Sequence, residues 1–167
     1  MEATNNQRYR AWDLVAKKML AVSSIILDGG SIQSIIDCEG IKHQINEIVL
    51  MKSIGIFECI KDDLTGIIKG EEFFEFDIIQ TTHYQKLTEE EQKKYTHIPG
   101  PTYTKSGIIE PTQSNHIGYR IRWDRGHMVI QSKTQVMSMK AIKRGNKFEN
   151  PELISKFKLD YTYNMKE

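Results

Sequence analysis

The chain has only two cysteines in 167 residues, Cys38 and Cys59. They are too few and too far apart for a disulfide framework or a thiolate metal site. Its five histidines (His43, His83, His97, His116 and His127) show neither an i, i+4 pair nor HExxH spacing, so no metal is expected. No stretch approaches the roughly 20 apolar residues of a membrane span, and the polar opening Met-Glu-Ala-Thr-Asn-Asn lacks the apolar core of a signal peptide. An excess of one charge is missing too: the formal net charge is +1, which excludes polycation behaviour of the whole chain. There is no internal repeat and no low-complexity tract. Asp28-Gly29-Gly30 has no Gly-Lys-Ser/Thr beside it and is a turn, not a phosphate loop. These absences predict a soluble, cytosolic protein without a cofactor.

What is present is globular in composition, with 39% hydrophobic and 27% charged residues. That length and balance predict one domain, or two very small ones sharing a core. The charge is unevenly spread. Residues 57–80 carry Glu58, Asp62, Asp63, Glu71, Glu72, Glu75 and Asp77 against Lys61 and Lys69, a net of −5. Residues 119–147 carry Arg120, Arg122, Arg125, Lys133, Lys140, Lys143, Arg144 and Lys147 against Asp124, a net of +7. Either the two blocks neutralise each other, within the fold or between subunits, or the second is an exposed basic face for nucleic acid.

The clearest local pattern is at 118–130. Tyr119, Ile121 and Trp123 alternate with Arg120 and Arg122, Asp124-Arg125-Gly126 reverses the chain, and Met128-Val129-Ile130 returns. This spells a β-hairpin with apolar residues on one face and arginines on the other. Upstream, 8–13 and 17–26 read as strands, although Trp12, Val15, Ala16 and Met19 also match a helix over 11–20. Asp28-Gly29-Gly30 turns the chain into a strand at 31–36, giving a meander, and 47–55 is a further strand. Asp62-Asp63-Leu64-Thr65-Gly66 is a turn. Residues 73–79 read as one mostly apolar strand. Thr88-Glu89-Glu90-Glu91 has the form of a capping box, predicting a short helix to about Lys94 or Tyr95. Residues 96–116, with Pro99, Gly100, Pro101, Gly107 and Pro111, read as a long loop. The spacing predicts a last strand over 136–142, then a C-terminal helix with Asn150 as N-cap and Pro151 at its first position.

Candidates for chemistry are sparse. Glu71, Glu72, Glu75 and Asp77 would suit a metal-dependent nuclease if they converged on a divalent ion, but an Asp…Glu-x-Lys arrangement is absent, and on a single strand Glu72 faces away from Glu75 and Asp77. Cys38 and Cys59 have no neighbouring histidine in sequence and no nucleophile elbow. Binding is the remaining route. The basic residues, with Tyr103, Tyr119 and Trp123 as stacking groups, would suit single-stranded nucleic acid, yet Tyr119 and Trp123 point away from Arg120 and Arg122.

The order of short motifs carries a resemblance. Tyr9-Arg10-Ala11-Trp12-Asp13 followed by Lys17-Lys18-Met19 resembles the opening of the YopX family of phage and prophage proteins. Val49-Leu50-Met51-Lys52-Ser53-Ile54-Gly55 is similar to that family's next strand. Asp63-Leu64-Thr65-Gly66 and Phe74-Glu75-Phe76-Asp77-Ile78 are similar to its Asp-x-x-Gly turn and Tyr-Glu-Gly-Asp-Ile segment, with Phe76 where the family has glycine. The 118–130 hairpin and Gly145-Asn146-Lys147-Phe148-Glu149-Asn150-Pro151-Glu152-Leu153 follow in the same order. Only 82–116 falls outside the match and reads as an insertion.

The resemblance implies a mainly β protein, with little helix: β meander and hairpins over 1–70, then an SH3-like small β-barrel over 71–167, acting in the host cytoplasm. It supplies no catalytic residue. Trp12 would then pack in a small core, and Asp13 would accept backbone N–H groups in a turn. The expected function is a non-enzymatic phage accessory protein that binds another protein or itself as a homo-oligomer. The alternative is a nucleic-acid-binding module using Arg120, Arg122, Arg125, Lys133, Lys140, Lys143 and Arg144. A nuclease comes third.

Overall fold

The computed structural model describes residues 8–58, 60–61, 68–84, 88, 90, 102–112, 118–123, 126–130 and 140–159. In chain order come β1 (Tyr9–Asp13), β2 (Met19–Asp28), β3 (Ser31–Asp37), β4 (Lys42–Gln44), a 3₁₀ turn (Ile45–Glu47) and β5 (Ile48–Phe57). The short pair β6 (Ile60–Lys61) and β7 (Ile68–Lys69) precedes β8 (Glu72–Phe74) and β9 (Asp77–Tyr84). Then follow β10 (Thr102–Pro111), β11 (Tyr119–Trp123), β12 (Gly126–Ile130), β13 (Ile142–Asn146) and the helix α1 (Glu152–Lys156). The protein is mainly β, in two antiparallel sheets ordered β4-β3-β2-β1-β5-β8 and β12-β11-β10-β9-β13.

The first sheet is the meander expected from its turn residues. Gly29 and Gly30 sit at φ 55° and 83°, and Asp28 pairs with Ser31. Two successive positive φ values are what a two-residue hairpin requires if its twist is to match that of its strands. The strand reading of 11–20 prevails over the helix: Ala11 pairs with Leu20 and Trp12 with Met19. Ala11, Leu20, Ile35 and Ile48 are buried together on one face of this sheet, with Val22, Ile25 and Leu50 packed against them.

The hairpin at 118–130 is present, with Trp123 opposite Gly126 and Tyr119 opposite Ile130. Ile121 and Trp123 join Ile79 and Ile109 of the second sheet and Ile56 and Phe73 of the first in one buried cluster. The two sheets therefore share a core. Ile78, Ile108 and Leu159 form a smaller cluster on the other face, closed by Leu153, Ile154 and Phe157 around α1.

Several sequence expectations are corrected. The strand expected over 73–79 is two strands, β8 and β9, separated by a turn in which Phe76 takes φ 64°. Phe76 thus takes a left-handed conformation that ordinarily favours glycine, and its ring packs edge-on against Phe148. Because β8 pairs with β5, the change of sheet falls at this turn. The 82–116 stretch is not simply loop: β9 continues to Tyr84, and β10 lies centrally between β9 and β11. The expected SH3-like barrel does not close among the described residues. β12 and β13 form the margins of the second sheet, and Ile56 and Phe73 from the first sheet pack on its open face.

The last strand starts at Ile142, where the sequence placed its end, and residues 131–139 lie outside the described set. Asn150 does not cap the helix: its Oδ1 accepts the Asn146 N–H at 3.1 Å, and Pro151 is the N-cap of a five-residue α1. The 62–66 turn lies outside the described residues, as does all but Thr88 and Glu90 of the predicted 88–95 helix.

Candidate functional site

The hairpin arginines do not form an open cationic face. Arg120 and Arg122 project opposite to Ile121 and Trp123, as strand parity requires. Glu110 on the adjacent β10 stands between them, 3.2 Å from Arg120 Nη2 and 2.8 Å from Arg122 Nε. Arg122 Nη1 also donates to the Leu159 carbonyl at 2.5 Å, tying the hairpin to the end of the α1 segment. Of the remaining basic candidates, Arg144 donates through Nε and Nη2 to Gln80 Oε1 at 3.1 and 2.5 Å. Lys143 Nζ lies 2.9 Å from Glu71 and 3.9 Å from Asp77. Lys140 is exposed at φ 47°. Arg125 and Lys133 lie outside the described residues. Among the described residues, the acidic 57–80 block meets the basic 119–147 block at Lys143, whose hydrogen bond holds the Glu71 carboxyl below its ordinary range.

The four acids of the nuclease reading face different partners. Asp77 is fully buried, paired with Arg10 Nη2, and accepts the Phe74 N–H at 2.9 Å and Asn146 Nδ2 at 3.3 Å. The Arg10 guanidinium also lies over the Phe74 ring, 4.6 Å from its centroid. Glu72 accepts from Ser53 Oγ and Arg8. Glu75 accepts the Lys52 N–H at 3.0 Å, and burial pushes its carboxyl up. Among the described residues no three His, Cys, Asp or Glu side chains are grouped to hold a metal ion. The stacking candidates divide: Trp123 is core, Tyr119 is half-buried against that core, and Tyr103 is exposed with its ring stacked on His83.

A cluster that sequence reading did not assemble lies at one end of the first sheet. Asp13 Oδ1 accepts the Val15 and Ala16 N–H groups, both at 2.8 Å, which is the turn role foreseen for it. Asp37 Oδ1 does the same for Glu39 at 2.9 Å and Ile41 at 2.8 Å. His43 stands between the two turns, Nε2 donating to Asp37 Oδ2 at 2.9 Å and Nδ1 lying 3.8 Å from Asp13 Oδ2. The Asp13 carboxyl is lowered chiefly by its Ala16 and Val15 hydrogen bonds, and the Asp37 carboxyl chiefly by the one from His43. The Leu14 N–H donates to the Glu47 carbonyl at 2.9 Å, fastening the first turn to the 3₁₀ turn. Of the three, only Asp13 was singled out in sequence, for its turn; no pattern links Asp37 or His43 to it.

These fastened turns carry exposed aliphatic side chains: Leu14, Val15, Ile41 and Ile45. Elsewhere on the same sheet, a groove of about 770 Å³ is lined by Arg8, Tyr9 and Phe74 on one side and by Ser23, Leu27 and Ile32 of the β2–β3 arm on the other.

The YopX family model, described as YopX protein, matches residues 8–155. The chain belongs to the YopX family. The match spans both sheets and most of α1, including the stretch that reads as an insertion by motif alone. The YopX chain is also similar to the crystal structure of protein EF1440 from Enterococcus faecalis, at 23% identity and a TM-score of 0.50, over 89% of this chain and 97% of that one. At that identity the likeness concerns the fold. A search of curated proteins finds no match. No helix among the described residues is long and apolar enough to cross a membrane.

Proposed function

We propose that this YopX protein is a non-enzymatic phage or prophage accessory protein, acting in the host cytoplasm through contact with another protein. The observation that supports this reading most is what the first sheet leaves in solvent. Leu14, Val15, Leu27, Ile41, Ile45 and Phe57 are exposed there, while Asp13, Asp37 and Glu72 spend oxygens on backbone N–H groups, serine and arginine. Single exposed apolar residues are ordinary, but several gathered on one sheet favour contact over chemistry. A role in nucleic-acid binding has less support, because Arg120, Arg122 and Lys143 are engaged by Glu110 and Glu71.

The test is affinity capture of the tagged protein from lysogenic cells, with nuclease treatment. The expected result is a protein partner in stoichiometric amount that survives the nuclease. Recovery of the protein alone and monomeric, or with nucleic acid only, would overturn the proposal. Light scattering on the purified chain distinguishes a second copy from a different protein.

A further inference from the structure

We infer that the groove beside the far half of β2 is a strand-docking site, taking an extended segment of a separate protein that adds to the first sheet along the open β2 edge. This rests on the protein-contact reading above and names the surface and the form of the partner. β2 runs from Met19 to Asp28, but its register with β1 covers only Met19, Leu20 and Ala21. On its other edge β3 stays paired as far as Asp28. Among the described residues, no strand lies beside 23–28 on the β1 side, an open edge of roughly 20 Å at the usual strand rise. Ala21, Val22, Ser23, Ser24 and Ile25 all line the groove. Successive side chains of a strand point to opposite faces, so five in a row reach one space only where the strand's edge borders it.

An open edge presents a row of main-chain N–H and C=O groups, and what satisfies such a row is another extended backbone. Sheet margins are ordinarily blunted by shortness and charge, and those of the first sheet are. β4 and β8 have three residues each and carry Lys42 and Glu72. The β2 edge is not blunted: residues 19–27 contain no charge and no proline. Val22 and Ile25 are only partly buried against the cluster of Ala11, Leu20, Ile35 and Ile48. An added strand would cover them with every second side chain, which selects a segment with aliphatic residues at alternate positions. A second copy is a poorer occupant. Its β2 arrives with β3 attached, and the space between β2 and the wall of Arg8, Tyr9 and Phe74 is about 770 Å³.

The probe is a random peptide library selected on the full chain, with the enriched peptides then titrated calorimetrically. Enrichment of aliphatic residues at every second position is expected, and binding should slow hydrogen exchange of the 23–28 amides that point away from β3. Methylating the peptide's own backbone nitrogens should weaken binding by roughly tenfold at alternate positions and little at those between, the mark of a main-chain ladder along one edge. Ser23→Lys and Leu27→Lys, both at exposed positions, should each weaken it by roughly tenfold or more while the melting temperature stays unchanged. Enriched peptides that leave those amides unprotected and bind both variants as tightly as the native chain would overturn this surface while leaving the contact reading in place. Amides at 23–28 already protected in the free monomer would assign the edge to a segment of this chain and overturn the proposal. Concentration-dependent dimers that Leu27→Lys abolishes would overturn it in favour of a second copy. A selection without enrichment would overturn it outright.

Discussion

Asp77 shows how much of this molecule rests on single charged pairs. Its carboxylate is fully buried, and the guanidinium that neutralises it comes from Arg10, 67 positions earlier. The Arg-Ala-Trp-Asp motif was visible in sequence, but nothing local to it says that its arginine reaches the other sheet. Removing one partner of a buried pair strands the other, so Arg10→Met should lower stability by about 3–5 kcal/mol in urea denaturation. A loss below about 1 kcal/mol would mean that Phe74, Asn146 and Lys143 suffice for Asp77. Tyr119 allows a second test. Burial, followed by the nearby Glu75 charge, pushes its phenol up to about 12 from its ordinary 10.0. A raised folded value means that Tyr119 contributes its full stability below pH 10, and that the contribution is lost as the pH rises towards 12. Ultraviolet titration of phenolate should therefore show a late step that Tyr119→Phe removes. A titration curve that Tyr119→Phe leaves unchanged above pH 10 would contradict the burial.

At the scale of elements, alternation and glycine turns made β1, β2, β3, β5 and the β11–β12 hairpin legible, because each has its own periodicity or turn residues. β10 was not legible. Thr102, Tyr103, Thr104 and Lys105 are all exposed, so its first half has no apolar alternation, and Gly107 and Pro111 read as loop punctuation. Gly107 instead serves close approach. A Cβ there would stand 2.5 Å from Trp123 Cε3 and 2.8 Å from the Arg122 carbonyl oxygen. Neither the buried indole nor the paired strand has room to withdraw, so Gly107→Ala should cost roughly 1–3 kcal/mol as overpacking. Thermal melting of that variant is the check, and an unchanged melting temperature would place Trp123 elsewhere. The β8–β9 break was hidden for a different reason: Phe76 occupies a positive-φ position that composition would assign to glycine.

For the whole molecule, the opposed charge blocks were legible in sequence and their use was not. Opposite charge along a chain states a sum, whereas pairing depends on which side chains the sheets bring together. Here Lys143 meets Glu71, while Arg120 and Arg122 turn to Glu110, which lies outside the acidic block. The cluster of Asp13, Asp37 and His43 was equally unreadable, since it exists only once β1, β3 and β4 lie in one sheet. Among the described residues most of the exposed large hydrophobics (Leu14, Val15, Leu27, Ile41, Ile45 and Phe57) lie on the first sheet and its turns, and that is the basis for contact as the working mode. The most direct measurement is paired affinity capture from lysogenic cells with the native chain and with the Ser23→Lys, Leu27→Lys double variant, after both have been shown to melt at the same temperature. The expected result is a stoichiometric protein partner present with the native chain and depleted roughly tenfold or more with the variant. A partner retained equally by both, or none with either, would contradict it.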